Sequence, residues 1–458
     1  MFSRRLKTAV RGSCRRHFFA FALTTTAIYF LMSMSHRRAN NNHSNPFAAI
    51  QSPIHKCNMS SGWHSINANR RVVFYSPVHE PNFAPDHLTF VVYGGYHAPN
   101  NTQCVYRTPD AGTIAKMGRY DVIERSSGYA LMYFTCDLPT FSGQIFVPET
   151  VQLRYQDATD KPSDVIPICT PPIQYSVTGA QYKRSFTVCT PVLHDYKEWY
   201  RIIVYIEYYR ILGATQFVFY DHSASATVKR VLEYYQQKGL VQVYPWPTDL
   251  FLDKVGFTHA TYWGQRATMN DCLLRARMIG KYVAFLDLEE IVVAPESNTL
   301  FGTNWLYNLI DEKMGSDENK IGSIQLRSVH VAQQGYAMIQ WPDQSRETPE
   351  SLNYANVSIG LLGPLSVGTL NEHGHQSRQI CKTYAVGHVN VHQISNYVGQ
   401  YQGHLMRAEE AVIYHLRNVR GHPNAYKLKN LTTNPFHPIE NRLLASVGRI
   451  LDGLKYKL

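Results

Sequence analysis

No acidic residue occurs before Glu80, although eight basic residues lie between Arg4 and Arg38. The formal net charge of +11 is therefore concentrated at the N-terminus, and setting aside Arg4, Arg5, Lys7, Arg11, Arg15, Arg16, Arg37 and Arg38 leaves about +3 for the rest. A residue of charge that small is ordinary for a soluble domain, so nucleic acid is not an expected partner. The eight cysteines contain no Cys-x-x-Cys pair, which argues against a zinc or thioredoxin-like site. No Gly-x-Ser-x-Gly is present, which argues against a hydrolase built on a serine nucleophile elbow. Residues 36–70 lack hydrophobic periodicity and are rich in Asn, Ser and His, as expected of a flexible stem.

The uncharged run from Phe18 to Met34 is 17 residues long, the lower limit for a spanning helix and suited to a thin early-secretory bilayer. Basic residues outnumber those on the far side before it, so the expectation is a cytoplasmic tail over 1–16, a transmembrane anchor over 17–35 and type II topology. A cleaved signal peptide competes with that reading, but Ser33-Met34-Ser35 is a poor cleavage site. Downstream come five Asn-x-Ser/Thr sequons, at Asn42, Asn58, Asn100, Asn356 and Asn430, and seven of the eight cysteines. Together they predict a lumenal, N-glycosylated, disulfide-bearing chain, with an odd thiol left over. Cys169 and Cys189 flank a proline-rich segment, and a bridge between them would contribute roughly 3 kcal/mol by loop entropy. Cys272 reads as a buried thiol in an amphipathic helix.

Short β-rich runs separated by turn residues predict a small all-β module over 71–157, followed by a linker over 158–184. From 185 to 458 strand and helix signals alternate. Trp199, Ile202, Ile203, Ile206 and Tyr209 share a helical face closed by Gly213, Val228, Val231, Leu232 and Tyr235 share a second, and the apolar run Tyr282–Leu286 meets Asp287. Such βαβ order predicts a doubly wound, mainly parallel sheet with ligands at the carboxyl ends of its strands. Asp221 and Asp287 fall at two such ends. Asp287-Leu288-Glu289-Glu290 places three acids directly after a buried strand, and in extended geometry Asp287 and Glu289 project to one side, as two carboxylates holding one cation require.

Four stretches in this order resemble glycosyltransferase family 92, which includes galactosyltransferases: SFTVCTPVLHDYKEWYRIIVYIEYYRILGATQFVFYDHSAS, VKRVLEYYQQKGLVQVYPWP, GQRATMNDCLLRARMIGKYVAFLDLEEIVVAP and AVIYHLRN. The resemblance covers roughly residues 185–418. It implies a GT-A fold, a manganese-dependent inverting reaction and transfer of galactose from UDP-galactose to a glycan acceptor in the Golgi. The family's Asp-x-Asp-Glu motif falls on Asp287 to Glu290, with Glu289 replacing the second Asp. His415 matches a histidine that completes the metal site, with His392 as the alternative. Lys382 resembles a lysine facing the diphosphate, Gln265, Asn270 and Asp271 resemble donor-side helix positions, and the resemblance implies that Pro191 and Asp221, at the ends of the first two strands, line the uridine pocket. Asp343, Glu372 and His373 are the candidates for the base. The Glu289 substitution keeps open a non-catalytic carbohydrate-binding protein on the same fold.

Overall fold

The structure, a computed structural model, describes residues 62–66, 72–75, 77–80, 83–95, 100–110, 112–126, 129–141, 143–156, 162–169, 185–247, 261–294, 302–333, 365–416, 429–431 and 434–455. The chain divides into two compact units, Met1–Pro53 and Ile54–Leu458. The first lies outside the described residues, and with it the expected anchor and Asn42. Asn58, Asp343 and Asn356 lie outside them as well. No described helix is long and apolar enough to cross a membrane.

The N-terminal module is a nine-stranded sheet of β1 (Trp63–Ser65), β2 (Val72–Tyr75), β3 (Val78–Glu80), β4 (Ala84–Gly94), β5 (Thr102–Arg107), β6 (Thr113–Ser126), β7 (Tyr129–Asp137), β10 (Thr150–Tyr155) and β11 (Ile166–Pro167). A two-residue hairpin, β8 (Thr140–Phe141) with β9 (Gln144–Ile145), stands beside it. Strand β6 pairs with β5 in its first half and with β7 in its second. At the changeover, a Cβ on Gly118 would lie 2.0 Å from the Phe134 ring, so only glycine fits there. The bend brings β5 and β7 within reach of the Cys104–Cys136 disulfide. Two boundaries differ from expectation. Trp63, placed in the stem, is buried against Tyr75 and Trp246. Residues 162–169, placed in the linker, extend the module through the β10–β11 pairing and the bridge from Val78 to Cys169.

The C-terminal part runs β12 (Phe186–Leu193), α1 (Trp199–Ile211), β13 (Gln216–Asp221), α2 (Ala226–Gln237), β14 (Val241–Pro245), α3 (Gln265–Ile279) and β15 (Tyr282–Phe285). It continues with β16 (Glu290–Val293), α4 (Trp305–Met314), β17 (Ile321–Leu326), β18 (Ser328–Gln333), β19 (Leu365–Leu370) and β20 (Arg378–Lys382). After β20 come β21 (Val386–Val389), β22 (Ile394–Tyr397), β23 (Gln402–Leu405), β24 (Val412–Leu416), β25 (Lys429–Asn430) and α5 (Glu440–Lys455). Seven strands form the central sheet in the order β14-β13-β12-β15-β20-β17-β23. The first four are mutually parallel, β20 runs against both its neighbours, and β17 and β23 are parallel to each other. The sheet is thus mixed at β20. A second sheet, β16-β24-β18-β19-β25, carries the chain beyond the acidic motif.

Side-chain alternation along the central strands fills both faces. Phe186, Val188, Phe217, Phe219, Tyr282 and Ala284 join the core under α1, α2, α4 and α5. Cys189, Val218, Tyr220, Val283 and Phe285 join a second core with α3 and the inner face of the module. Helix α1 is buried nearly all round, including Tyr200, Val204, Tyr205 and Tyr208, where a single apolar face was expected. The reason is α5, which packs on its far side through Leu443, Val447, Ile450 and Leu451. Glu207 on α1 is itself buried and binds Arg210, Tyr235 and Ser446, which ties the three helices together. Gly213 (φ 109°) ends the helix where a Cβ would lie 2.5 Å from Tyr307.

Helix α3 lies between the two sheets, so every residue but Arg266 and Ile279 is buried. Its polar residues therefore find partners on both sides. Arg277 pairs with Glu80 of the module at 2.8 Å, both side chains fully enclosed, and also donates to Thr383 O and Val386 O. Arg275 binds Asp271 through two hydrogen bonds and lies 4.0 Å from the centre of the Tyr244 ring. The cysteine expectations are corrected here. Cys189 pairs with Cys272, because α3 packs directly on β12, and the 20-residue proximity to Cys169 is immaterial. Cys169 is disulfide-bonded elsewhere. The free thiol among the described residues is Cys381, which burial pushes up to about 12.

Replacing Glu80 by Ala strands Arg277 as a buried cation without its carboxylate. Urea denaturation of the unit from Ile54 onward should show a loss of about 3–5 kcal/mol. A loss below about 1 kcal/mol, the range of an exposed pair, would mean that the contact does not hold the module to α3.

Candidate functional site

The acidic motif follows β15 at its carboxyl end, but it turns where extended geometry was expected. Glu290 N donates to Asp287 O at 3.0 Å, and Asp287 N donates back to the Glu290 carboxylate, also at 3.0 Å. The chain then enters β16, whose antiparallel register places Glu290 opposite His415 on β24. Three tyrosines of α1 fix the backbone of this turn: Tyr205 donates to Leu286 O, Tyr209 to Glu290 O and Tyr208 to Val292 O, at 2.7–3.0 Å. Sequence reasoning took Tyr209 for a core residue and overlooked the other two, since a phenol that supports a backbone looks the same as one that fills a core.

The three acids are divided between two sets of partners. Asp287 accepts from Gln265 Nε2 at 3.1 Å and from Arg378 Nη2. Glu290, wholly buried, accepts from Arg378 Nε at 2.6 Å, while its other oxygen has no hydrogen-bond partner among the described residues and lies 3.8 Å from His415 Nδ1. Glu289 is the most open of the three, with a side chain 35% exposed against 18% for Asp287, and its Oε1 stands 3.7 Å from His415 Nε2. That spacing is too long for a hydrogen bond and is compatible with two ligands on one small cation at about 2.1 Å each. Among the described residues, no three His, Cys, Asp or Glu side chains are disposed to hold a metal ion; Glu289 faces His415, while Asp287 is engaged by Gln265 and Arg378.

Burial beside Glu290 pushes the Asp287 carboxyl up, to about 7, against the pull of Arg378. The opposing attraction loses because one guanidinium serves two carboxylates inside a poorly solvated turn. Burial also acts to raise Glu289, but His415 outweighs it and the net direction is down.

Arg378, at the start of β20, was not singled out from the sequence. Its Nη1 also donates to Val391 O at 3.1 Å and contacts His392 Nδ1 at 3.0 Å. His392 is therefore a partner of Arg378. Pro191 lies at a register shift in β12, and Asp221 caps the turn after β13 by accepting from Ala224 N and pairing with Lys229. Beyond them His194 and His222 stand with Nδ1 atoms 3.2 Å apart, and the Trp263 ring lies against His194 at 3.6 Å between centres.

Three expected donor residues have other work. Asn270 is buried and pairs with the backbone of Val389 through both ends of its amide. Asp271 is buried between Arg275 and Tyr220. Lys382 sits opposite Tyr282 at the start of β15, roughly 16 Å from Asp287 at the rise of a strand, where its ammonium binds Asp317 and Ser316 O. Strand β20 is antiparallel to β15, which puts its first residue, Arg378, beside Asp287 and its last, Lys382, at the far end. Of the base candidates that are described, Glu372 is exposed and His373 binds Gln325 at 3.1 Å.

Residues 184–443 match the profile of glycosyltransferase family 92. The chain belongs to this family. It is 28% identical over 127 residues to a glycosyltransferase family 92 protein of Caenorhabditis elegans, covering 27% of this chain and 25% of that protein. It is 30% identical over 145 residues to a beta-1,4-galactosyltransferase of the same organism, covering 29% and 32%. The matched stretches thus span about a quarter to a third of the relatives' length. Among solved structures, S. aureus TarS in complex with UDP overlaps 43% of this chain and 47% of its own at 16% identity and a TM-score of 0.22. Glucosyl-3-phosphoglycerate synthase from Mycobacterium tuberculosis, in complex with Mn2+, UDP and glucosyl-3-phosphoglycerate, overlaps 33% and 45% at 15% identity and a TM-score of 0.19. Overlaps this low carry no weight for fold or chemistry.

The raised Asp287 carboxyl has a signed consequence. Its folded value lies above the ordinary 3.8, so the folded state holds more protons and loses stability as pH rises from about 4 through about 7. Asp287→Asn should therefore gain stability relative to the wild type at pH 7.5 and not at pH 4.5, read from urea midpoints. A variant less stable than the wild type at pH 7.5 would mean that Arg378 controls the carboxyl.

Proposed function

We propose that the chain is a metal-dependent inverting glycosyltransferase that transfers galactose from UDP-galactose to a glycan acceptor. The observation that carries this reading is the convergence of Glu289 and His415 at the carboxyl end of β15, 3.7 Å apart, on a chain of glycosyltransferase family 92. Glu289 and His415 would hold the divalent cation, manganese or another, and bound there it would supply charge neutralisation for a leaving diphosphate. Two protein ligands suffice for a hard cation that completes its shell with substrate phosphates and water.

The chain's own residues supply the rest. Gln265, at the first position of α3, and Arg378 fix the Asp287 carboxylate from two sides. The tyrosines of α1 keep the turn from moving as charge develops, which is how a preorganised site lowers a barrier. Pro191 and Asp221, with the aromatic group of His194, His222 and Trp263 beside them, form the proposed nucleoside side of the pocket. His373 would serve as the base. Burial and the nearby Arg327 hold its imidazole below the ordinary value, hence neutral, and Gln325 links it to His392 O in the group around Arg378.

The proposed setting is the Golgi membrane, with a single-pass type II anchor and a lumenal catalytic domain. The basic flank, the sequons and the disulfides at Cys104–Cys136 and Cys189–Cys272 support it. Of the sequons, Asn100 is exposed in a turn, and Asn430 is on β25 with its side chain accepting from Ser366 Oγ.

Donor and metal dependence are tested together. Glu289→Gln should abolish transfer from UDP-galactose, by about 100-fold or more, without lowering the melting temperature at neutral pH. Chelator should do the same to the wild type, and manganese should restore only the wild type. Glu289→Asp should retain or raise activity. Turnover by Glu289→Gln at the wild-type rate, or insensitivity to chelation, would favour a carbohydrate-binding protein on this fold.

A further inference from the structure

The acidic turn carries more negative charge than one cation site needs, and the structure distributes it unevenly. Three carboxylates lie within four residues, and a single guanidinium faces two of them. Arg378 spans Asp287 through Nη2 and Glu290 through Nε, with Nη1 anchored on Val391 O. Its side chain is 6% exposed, so the pairing is poorly screened by solvent. Glu289, between those two acids in sequence, points away from Arg378 and toward His415. A fork with fixed donor geometry can hold two carboxylates at once, which an ammonium cannot.

We propose that Arg378 is a positioning residue that partitions the acidic motif: it withholds Asp287 and Glu290 from the cation and leaves Glu289 with His415 as its ligands. This inference rests on the cation reading above and deepens it. An orphaned buried oxygen supports the partition. Glu290 Oε1 has no hydrogen-bond partner among the described residues and faces His415 Nδ1 at 3.8 Å, so a second carboxylate stands ready beside the pair and is kept from closing on it by the Arg378 contact to its other oxygen. The arrangement has a functional logic. A site with two protein ligands leaves coordination positions for the donor phosphates, whereas a site that collected all three carboxylates would bind the cation tightly and exclude them.

The test is titration calorimetry of the full chain with Mn2+ alone, paired with transfer kinetics. The wild type should bind one ion. Glu289→Gln should weaken binding by about tenfold or more, and Asp287→Asn should leave it within about threefold. Arg378→Gln should tighten Mn2+ binding by about fivefold or more while transfer falls, because the released carboxylates turn to the ion. A residue that served structure alone would weaken both together. Should Arg378→Gln fail to fold, Arg378→Lys keeps the charge without the fork and should likewise tighten Mn2+ binding, to a smaller degree, with a lower kcat. The proposal is overturned if Asp287→Asn weakens Mn2+ binding as much as Glu289→Gln does, or if neither Arg378 variant tightens it. Absence of any Mn2+ binding by the wild type overturns this inference and the cation reading together, which separates that failure from a failure of the partition alone.

Discussion

Helix α3 is enclosed on all sides, and most of what surrounds it follows from that confinement. A helix buried between two sheets has no solvent face on which to place charge, yet α3 carries Asn270, Asp271, Arg275 and Arg277 in its interior. Each such group costs several kcal/mol unless it is matched. The central sheet and β21 match Asp271 and Asn270, and the module supplies Glu80 for Arg277 and Tyr133 for Asn270. The β module is therefore the other half of the helix's enclosure, not an appended domain on a linker. The Cys189–Cys272 bridge fastens the same helix to β12, and the N-terminal end of α3 then delivers Gln265 to Asp287.

The site inherits this rigidity. Its acidic turn is held from below by tyrosines of α1, from one side by Gln265 of α3, and from the other by Arg378 of β20 and by β24 through the register of Glu290 with His415. Four elements far apart in sequence meet within a few ångströms, each secured by its own core. Catalytic side chains that must keep fixed positions as charge develops need this kind of support, because a loosely held ligand loses the advantage of preorganisation.

Much of this was legible in the sequence, and the parts that were not share a cause. Strand and helix order through β15 and the position of Asp287 after a buried strand were readable from apolar runs, whereas His415, which stands 3.7 Å from Glu289, was singled out only by the family resemblance. Local pattern does not reveal which way a strand runs, so it does not show that β20 brings Arg378, and not Lys382, to the Asp287 end of β15. It does not reveal what covers a helix, so α1 was given one buried face when α5 supplies a second. Nor does spacing along the chain fix spacing across it: Cys189 bonds to Cys272, a sequence separation of 83, because α3 packs on β12. Asn270 and Asp271 were read as donor-side positions from the family resemblance alone, and the partners they find inside the fold are ones the sequence does not name.

The proposed donor site is the carboxyl end of β15, with the cation between Glu289 and His415. The most direct measurement is a crystal structure of the chain grown with UDP and Mn2+, with the metal located by anomalous scattering. One anomalous peak is expected within bonding distance of Glu289 and His415 and in contact with the UDP diphosphate, with the Arg378 contacts to Asp287 and Glu290 retained. A peak bound by Asp287 in place of Glu289, or UDP seated at the opposite end of the strand beside Lys382, would contradict it.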